Sequence, residues 1–285
     1  MDRKKLRHVA ELLARAAGTL QARKFRRTLH VRWKDLTDPV TEVDQACERL
    51  IVRGIRKAFP DHAILGEEGG VQGADYGSAP FTWIIDPLDG TVNYSHGLPI
   101  FAVSIGVWER DAKPIKGRLH DPRLGAPVVG VVHAPILGET FVAERGKGAF
   151  MNGRRIHVSK KRKALQSVLA SGFSYDVRDT GENVPEWTEG LIRFQAVRRM
   201  GSAAIDLAFT AAGRFDGFWE YGLKPWDMAA GGLLVEEAGG LVTNMQGGPF
   251  ALDKPGIVAV GRGLQKPLLA ALKRGGERKR IWPPR

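Results

Sequence analysis

The 285-residue chain is 43% hydrophobic and 26% charged, values that support a buried core, exclude bulk disorder and suit one large α/β body. No apolar run approaches the roughly 20 residues needed to cross a bilayer, and Met1-Asp2-Arg3-Lys4-Lys5-Leu6 opens an amphipathic pattern rather than a signal core, so a cytoplasmic protein without membrane contact is expected. The single cysteine, Cys47, excludes an intrachain disulfide and a cysteine-based metal cluster, and the formal net charge of +12 is large.

Leu6, Val9, Leu13, Ala17 and Leu20 recur at three- and four-residue spacing and predict a first helix over about residues 3–22. A basic connector over residues 23–34 follows. Val43, Ala46, Cys47, Leu50, Gly54, Ile55 and Ala58 predict a second helix over about 41–59, stopped by Pro60-Asp61. Cys47 is then a small buried residue. Strand-like runs alternate with turns at 63–65, 81–85, 101–107, 128–133 and 140–143, and residues 69–80 read as a mobile surface loop. From Ser202 onward the pattern is a helix at 202–212, a strand at 215–221, a helix at 226–238, strands at 241–243 and 257–260, and a helix at 264–274. The expectation is one domain over residues 1–285, α+β to about residue 150 and α/β from about 151 on.

Lysine and arginine cluster at Arg3-Lys4-Lys5, Arg23-Lys24-Phe25-Arg26-Arg27, Lys160-Lys161-Arg162-Lys163 and Arg278-Lys279-Arg280. Such runs are usually solvated faces; they would also suit anionic substrates or nucleic acid.

The most informative segment is Trp83-Ile84-Ile85-Asp86-Pro87-Leu88-Asp89-Gly90-Thr91. An apolar strand ends in two aspartates three apart, with Pro87 stiffening the turn and Gly90 permitting a tight backbone, so both carboxylates project at a strand end. Alone, an ordinary turn with hydrogen-bonding aspartates reads the same way. Gly66-Glu67-Glu68-Gly69 makes a second acidic turn. Asp227, in Lys224-Pro225-Trp226-Asp227, falls in the first turn of a helix, where a carboxylate also serves the dipole. Asp44, in Thr41-Glu42-Val43-Asp44, fits a capping box. Together, several carboxylates at element ends suit a hard divalent cation, which takes oxygen ligands and leaves positions for a phosphate.

In order and spacing, Gly66-Glu67-Glu68, the segment from Trp83 to Thr91, Trp226-Asp227-Met228-Ala229-Ala230-Gly231 and Glu237-Ala238-Gly239-Gly240 resemble the signatures of the inositol monophosphatase family. Arg199 to Leu207, Ala211 to Phe218 and Gly146 to Gly153 are similar to further family segments, and the resemblance covers about residues 5–270. It implies a layered αβαβα sandwich of the inositol monophosphatase / fructose-1,6-bisphosphatase type, a homodimer, and Mg²⁺-dependent hydrolysis of a small polyol phosphate monoester such as myo-inositol 1-phosphate, inhibited by Li⁺. It further implies that Glu67, Asp86, the Leu88 carbonyl, Asp89 and Asp227 bind two or three Mg²⁺ ions. Glu67 and Thr91, helped by Asp44, would orient and deprotonate the attacking water. Gly90 and Thr91 would offer backbone N–H groups to the phosphate, and Gly201, Ser202, Ala203 and Glu220 would face the polyol, with Leu88, Asp89 and Asp227 lining the same substrate site.

Lys224 stands where animal members tend to have His and bacterial ones often Arg, which leaves the substrate open. Lys34 aligns only loosely with the lysine of the family's third-metal loop. Fructose 1,6-bisphosphate, histidinol phosphate and 3′-phosphoadenosine nucleotides are rival family substrates that a shared metal motif does not separate. A haloacid-dehalogenase-type aspartyl phosphatase is disfavoured, because its two aspartates stand two apart rather than three. The chain also resembles the SuhB-type bacterial members, implicated in RNA synthesis, and its basic ends would suit RNA or a transcription factor, although no RNA-recognition motif is visible.

Overall fold

The computed structural model describes residues 2–27, 31–35, 38–75, 78–115, 117–254 and 256–278. In chain order the elements are α1 (Arg3–Lys24), β1 (Val31–Asp35), β2 (Asp38–Thr41), α2 (Glu42–Ala58), β3 (Ala63–Gly66), β4 (Gly70–Gly73), β5 (Phe81–Asp89), α3 (Thr91–Ser95), β6 (Ala102–Glu109), β7 (Ala126–Ala134), β8 (Glu139–Glu144), β9 (Gly148–Met151) and β10 (Arg154–Ile156). After them come β11 (Val168–Ser171), α4 (Val177–Thr180), α5 (Val184–Arg193), β12 (Ala196–Arg198), α6 (Ala203–Ala211), β13 (Gly217–Tyr221), α7 (Pro225–Glu237), β14 (Leu241–Thr243), β15 (Gly256–Val260) and α8 (Gln265–Arg278).

Strands β10-β9-β8-β7-β6-β5-β3-β4 form an eight-stranded sheet, antiparallel except where β3 runs parallel to β5. A five-stranded sheet, ordered β12-β11-β13-β15-β14, is parallel across β12, β11 and β13 and antiparallel beyond. Helices α1 and α2 cover one face of the large sheet through Leu6, Ala10, Ile51 and Ile55 packed on Trp83, Ile85, Val107 and Val131. Helices α6 and α7 lie on its other face and also touch the small sheet. The outer face of the small sheet meets α8 through Leu268, Ala271 and Leu272. The result is the expected αβαβα layering. Strand β7 is buried along its whole length and β6 along nearly all of it, because helices cover both faces; their near-continuous apolar character follows.

Cys47 is buried, as expected, with its thiol directed at the Ala17 carbonyl. Two local expectations are corrected. Part of the predicted basic connector is instead β1, paired antiparallel with β2, and part of the predicted loop at 69–80 is β4, an edge strand on β3. Gly70 and Gly73 both have positive φ, so their turn character masked the short strand between them. Among the described residues no helix is long and apolar enough to cross a membrane. Lys279 and Arg280 lie outside the described residues.

Candidate active site

Side chains alternate across a strand, so Asp86 and Asp89, three apart on β5, would face opposite ways in regular pairing. The β5–β6 register shifts instead: Asp86 pairs with Ser104 and Asp89 with Ala102. Three steps on β5 therefore oppose two on β6, a bulge that contains Pro87, which has no N–H to give to a ladder. The extra residue turns both aspartates to the same side. Asp86 Oδ1 accepts the Leu88 N–H at 2.9 Å, and the Pro87 carbonyl accepts from buried Gln21 on α1 at 2.8 Å.

Helix α7 brings the third carboxylate. A Cβ on Gly106 would lie 2.9 Å from the Ala229 side chain, and one on Gly130 would lie 2.6 Å from the Ala230 carbonyl oxygen. These two glycines let α7 settle close onto β6 and β7. Ser104 Oγ donates to the Trp226 carbonyl at 3.2 Å and ties the first turn of α7 to β6. Asp227 there accepts the Lys224 N–H at 2.7 Å, so it caps the helix as its position suggests, and it also enters the site. Ligand oxygens of Asp86, Asp89 and Asp227 all lie within 4.8 Å of one another.

Helix α6 closes the site from the small-sheet side. Asp89 Oδ2 accepts Ser202 Oγ–H at 2.5 Å and the Ala204 N–H at 2.7 Å, an added cap on α6. Asn93 Nδ2 donates to the Ile100 carbonyl at 2.7 Å and the Met200 carbonyl at 2.8 Å, which fixes the Gly201 segment against α3. Gly90, at φ +94°, has no room for a side chain: its Cβ would lie 2.9 Å from the Ile100 oxygen and 3.2 Å from the Gly201 oxygen. Thus Gly90, Gly201, Ser202 and Ala203 converge on Asp89.

Thr91 Oγ lies 2.9 Å from Asp44 Oδ1 and 3.0 Å from the Leu88 carbonyl, and its one proton can go to either. Asp44 meanwhile completes the capping box of α2 by accepting the Thr41 N–H at 2.9 Å. It has both readings at once, cap and partner of Thr91.

The electrostatics follow from burying acids together. Asp86 is pushed well above the usual carboxylate range by burial, then by the charges of Glu67, Asp89 and Asp227. Asp227 is raised by burial and by Asp89 and Glu67. Asp89 rises to about 6, burial outweighing its hydrogen bonds to Ser202, Ala204 and Ala203. Glu67 therefore stands near enough to act on Asp86 and Asp227, although it is outside the three-carboxylate cluster. Glu220, on β13, is raised by burial and by Asp227 and Asp89, with Arg199 pulling the other way. Its carboxylate lies against Gly172, where a Cβ would come within 2.3 Å of Oε1. Unneutralised carboxylates at this density repel. A hard divalent cation fits this donor set, since it takes oxygen ligands and would relieve the repulsion.

The model of the inositol monophosphatase family matches residues 2–277. The chain belongs to the inositol monophosphatase family. It is 45% identical over 272 residues to a protein of Pseudomonas aeruginosa named Nus factor SuhB, covering 93% of this chain and 95% of that one. It is 41% identical over 278 residues to an inositol-1-monophosphatase of Mesorhizobium japonicum, covering 96% and 98%. The crystal structure of the extragenic suppressor protein SuhB from Bartonella henselae superposes with a TM-score of 0.84 at 38% identity, over 94% of this chain and 98% of that one. Membership in the inositol monophosphatase family is consistent with phosphatase activity and with metal dependence.

Sequence reasoning missed the residues that hold the site rather than form it. Asn93, Ser104, Gln21, Gly106, Gly130 and Gly172 act through contacts of long sequence separation, which no local pattern displays. Asp206, also missed, is buried, and its carboxyl is pushed up by burial and by the charges of Glu220 and Asp89. The Lys34 side chain lies outside the described residues.

Proposed function

We propose that this inositol monophosphatase family member hydrolyses a small polyol phosphate monoester with Mg²⁺, with myo-inositol 1-phosphate as the leading substrate. The observation that carries this reading is the convergence of the Asp86, Asp89 and Asp227 carboxylates beside the Thr91–Asp44 hydrogen bond. In this reading Glu67, Asp86, the Leu88 carbonyl, Asp89 and Asp227 would hold two or three Mg²⁺ ions. When bound, Mg²⁺ supplies neutralisation of phosphate charge and acidifies the attacking water.

The remaining steps belong to the protein. Thr91 Oγ accepts a proton from the water as its own proton passes to Asp44 Oδ1, and Glu67 holds the water in line with the phosphorus. Asp44 suits this role because burial raises its carboxyl above the ordinary range, making it the better base. Gly90 and Thr91 offer backbone N–H groups to the phosphate. Gly201, Ser202, Ala203 and Glu220 face the polyol, where Glu220 accepts its hydroxyls. Hydrolysis follows in one displacement with no phosphorylated aspartate: the phosphorus–polyol oxygen bond breaks as the water oxygen bonds to phosphorus, the departing alkoxide takes a proton from solvent water, and Asp44 returns its proton to solvent. The chain acts as one domain from two halves meeting near residue 150, works in the cytoplasm as a homodimer, and loses activity to Li⁺ competing for a cation position.

The test is phosphate release from inositol 1-phosphate, fructose 1,6-bisphosphate, histidinol phosphate and 3′-phosphoadenosine 5′-phosphate, with Mg²⁺ and with chelator. Mg²⁺-dependent preference for inositol phosphate is expected; preference for another keeps the chemistry and changes the substrate, and turnover of none overturns the reading.

The relative named Nus factor SuhB favours a second reading, contact with RNA or a transcription factor through the basic surface. Some of that surface has structural partners: Arg3 pairs with Glu109, Lys161 with buried Asp216 and Arg278 with buried Glu189. RNA binding that weakens steeply with salt and is indifferent to Asp89→Asn would support this role. No binding at low salt would remove its RNA form.

A further inference from the structure

Two carboxylates one helical turn apart on α2 reach toward the site, and only Asp44 enters the mechanism above. The other is Glu48, which is 5% exposed. Its Oε2 accepts the backbone N–H of Glu68 at 2.8 Å, its Oε1 accepts from Gln72 Nε2 at 3.1 Å, and the Gly69 N–H also donates to it. The carboxylate thus fills the inside of the turn that joins β3 to β4, the turn that carries Glu67. Such a turn presents several N–H groups inward, and a buried carboxylate that accepts them holds the backbone in one arrangement.

The flanking glycines support this directly. Neither Gly66 nor Gly69 is among the residues with positive φ, so their backbone does not call for glycine. Space does: a Cβ on Gly66 would lie 2.8 Å from Glu48 Oε2, and one on Gly69 would lie 2.2 Å from Gln72 Nε2 and 2.6 Å from Glu48 Oε1. Gly66 is therefore the complement of the Glu48 carboxylate, and Gly69 of that carboxylate together with its partner Gln72.

We propose that Glu48 is a positioning residue that locks the Glu67 turn, so that α2 sets the register of both groups that act on the attacking water, Thr91 through Asp44 and Glu67 through Glu48. The proposal rests on the phosphatase reading for Glu67's role, but its structural half can be measured without turnover. The experiment uses the full chain with Glu48→Ala, Glu48→Gln and Gly69→Ala. Glutamine retains an oxygen for the Glu68 N–H and turns its amide toward Gln72, whose own amide can rotate to accept it.

In chelator, hydrogen exchange at the Glu68 and Gly69 amides should speed up at least about tenfold in Glu48→Ala and stay within about threefold in Glu48→Gln. Calorimetric Mg²⁺ affinity should weaken about 10–100-fold in Glu48→Ala and little in Glu48→Gln, the effect usual for partners that orient metal ligands. In turnover, half-saturating Mg²⁺ should rise and kcat fall, while KM for inositol 1-phosphate at saturating Mg²⁺ holds. Should Glu48→Ala fail to fold, Gly69→Ala, at an exposed turn, crowds the Gln72–Glu48 hydrogen bond without removing the carboxylate and should weaken Mg²⁺ in the same direction. Unchanged amide exchange and Mg²⁺ affinity in the folded variants, or glutamine as damaging as alanine, overturns the proposal. If the wild type releases no phosphate, the exchange and calorimetry still decide Glu48's part, and the phosphatase reading fails by itself.

Discussion

Asp89→Asn removes one charge from the carboxylate cluster while keeping an oxygen that can accept from Ser202 and Ala204, so the cap on α6 survives. In the metal-free protein the Asp89 carboxyl sits at about 6 against an ordinary 3.8, chiefly through burial. A folded-state value raised above the unfolded one gives stability that is complete below 3.8 and lost as pH rises through 6. At pH 8 the ionised group therefore costs up to about 3 kcal/mol, and the neutral amide does not incur it. In chelator at pH 8 the variant should melt higher than wild type, by up to about 6 °C at roughly 2 °C per kcal/mol for a chain of this size. That advantage should shrink below pH 6 and vanish near pH 4. On the proposed metal site, saturating Mg²⁺ should reverse the order: at a hundred times its Kd it would stabilise wild type by about 2.7 kcal/mol, with much less for a variant lacking one ligand charge. Scanning calorimetry from pH 4 to 8, with EDTA and with Mg²⁺, reads all of this, and phosphate release should fall to near background. A variant less stable than wild type in EDTA at pH 8, or stabilised equally by Mg²⁺, would refute the assignment of Asp89 as a strained ligand.

Thr91→Ala should lower kcat for inositol 1-phosphate by on the order of 10²–10⁴, with Thr91→Ser keeping most of it, because in the proposed mechanism the hydroxyl carries the proton; steady-state phosphate release decides. His133 is buried, shares a hydrogen bond of 2.9 Å with Thr140, and is pushed down to about 4 by burial and then by Arg15. Its contribution, present above 6.5, should be lost as pH falls through 4, about 3 kcal/mol in all; an NMR titration of the ring with a midpoint above 6 would contradict this. Gly130→Ala forces a methyl against the Ala230 carbonyl, so it should cost about 1–3 kcal/mol and weaken calorimetric Mg²⁺ binding by moving Asp227 on α7.

What was legible in the sequence was what repeats locally. The periodicity of Leu6, Val9, Leu13, Ala17 and Leu20 predicts a helix that becomes α1, and the apolar run ending in Asp86-Pro87-Leu88-Asp89 marks a strand end because its composition changes there. Strands β9 and β10 are equally marked, by Asn152-Gly153 with both residues at positive φ between Met151 and Arg154, the signal of a two-residue hairpin. Strands β11 and β12 are four and three residues long, too short for period-2 alternation to stand out. The site residues were legible one by one, as turn, cap or first-turn acids. Their meeting was not, because the bulge at Pro87 and the approach of α7 over Gly106 and Gly130 are tertiary facts.

The same side chains close helices and gather at the site, and this coupling explains how a repulsive cluster is held in place. Asp227 caps α7, Asp89 caps α6 and Asp44 caps α2. Each carboxylate gains backbone N–H partners that favour its charged form, and each thereby resists the burial and mutual repulsion that favour protonation. Because one oxygen is committed to a cap, the carboxylate has little freedom to swing away from its neighbours when no cation is present. The helix ends fix the acids; Asp89 in turn ties α6 to β5, and Asp44 ties α2 to Thr91 just beyond it. A substitution that breaks a cap, or a contact that positions a site turn, should therefore loosen the site without relieving the repulsion, whereas one that removes only a charge should relieve the repulsion, raise metal-free stability and weaken Mg²⁺ binding. Asp89→Asn belongs to the second kind and Glu48→Ala, which frees the Glu67 turn rather than a helix end, to the first, so comparing their metal-free stabilities with their Mg²⁺ affinities separates scaffold from ligand.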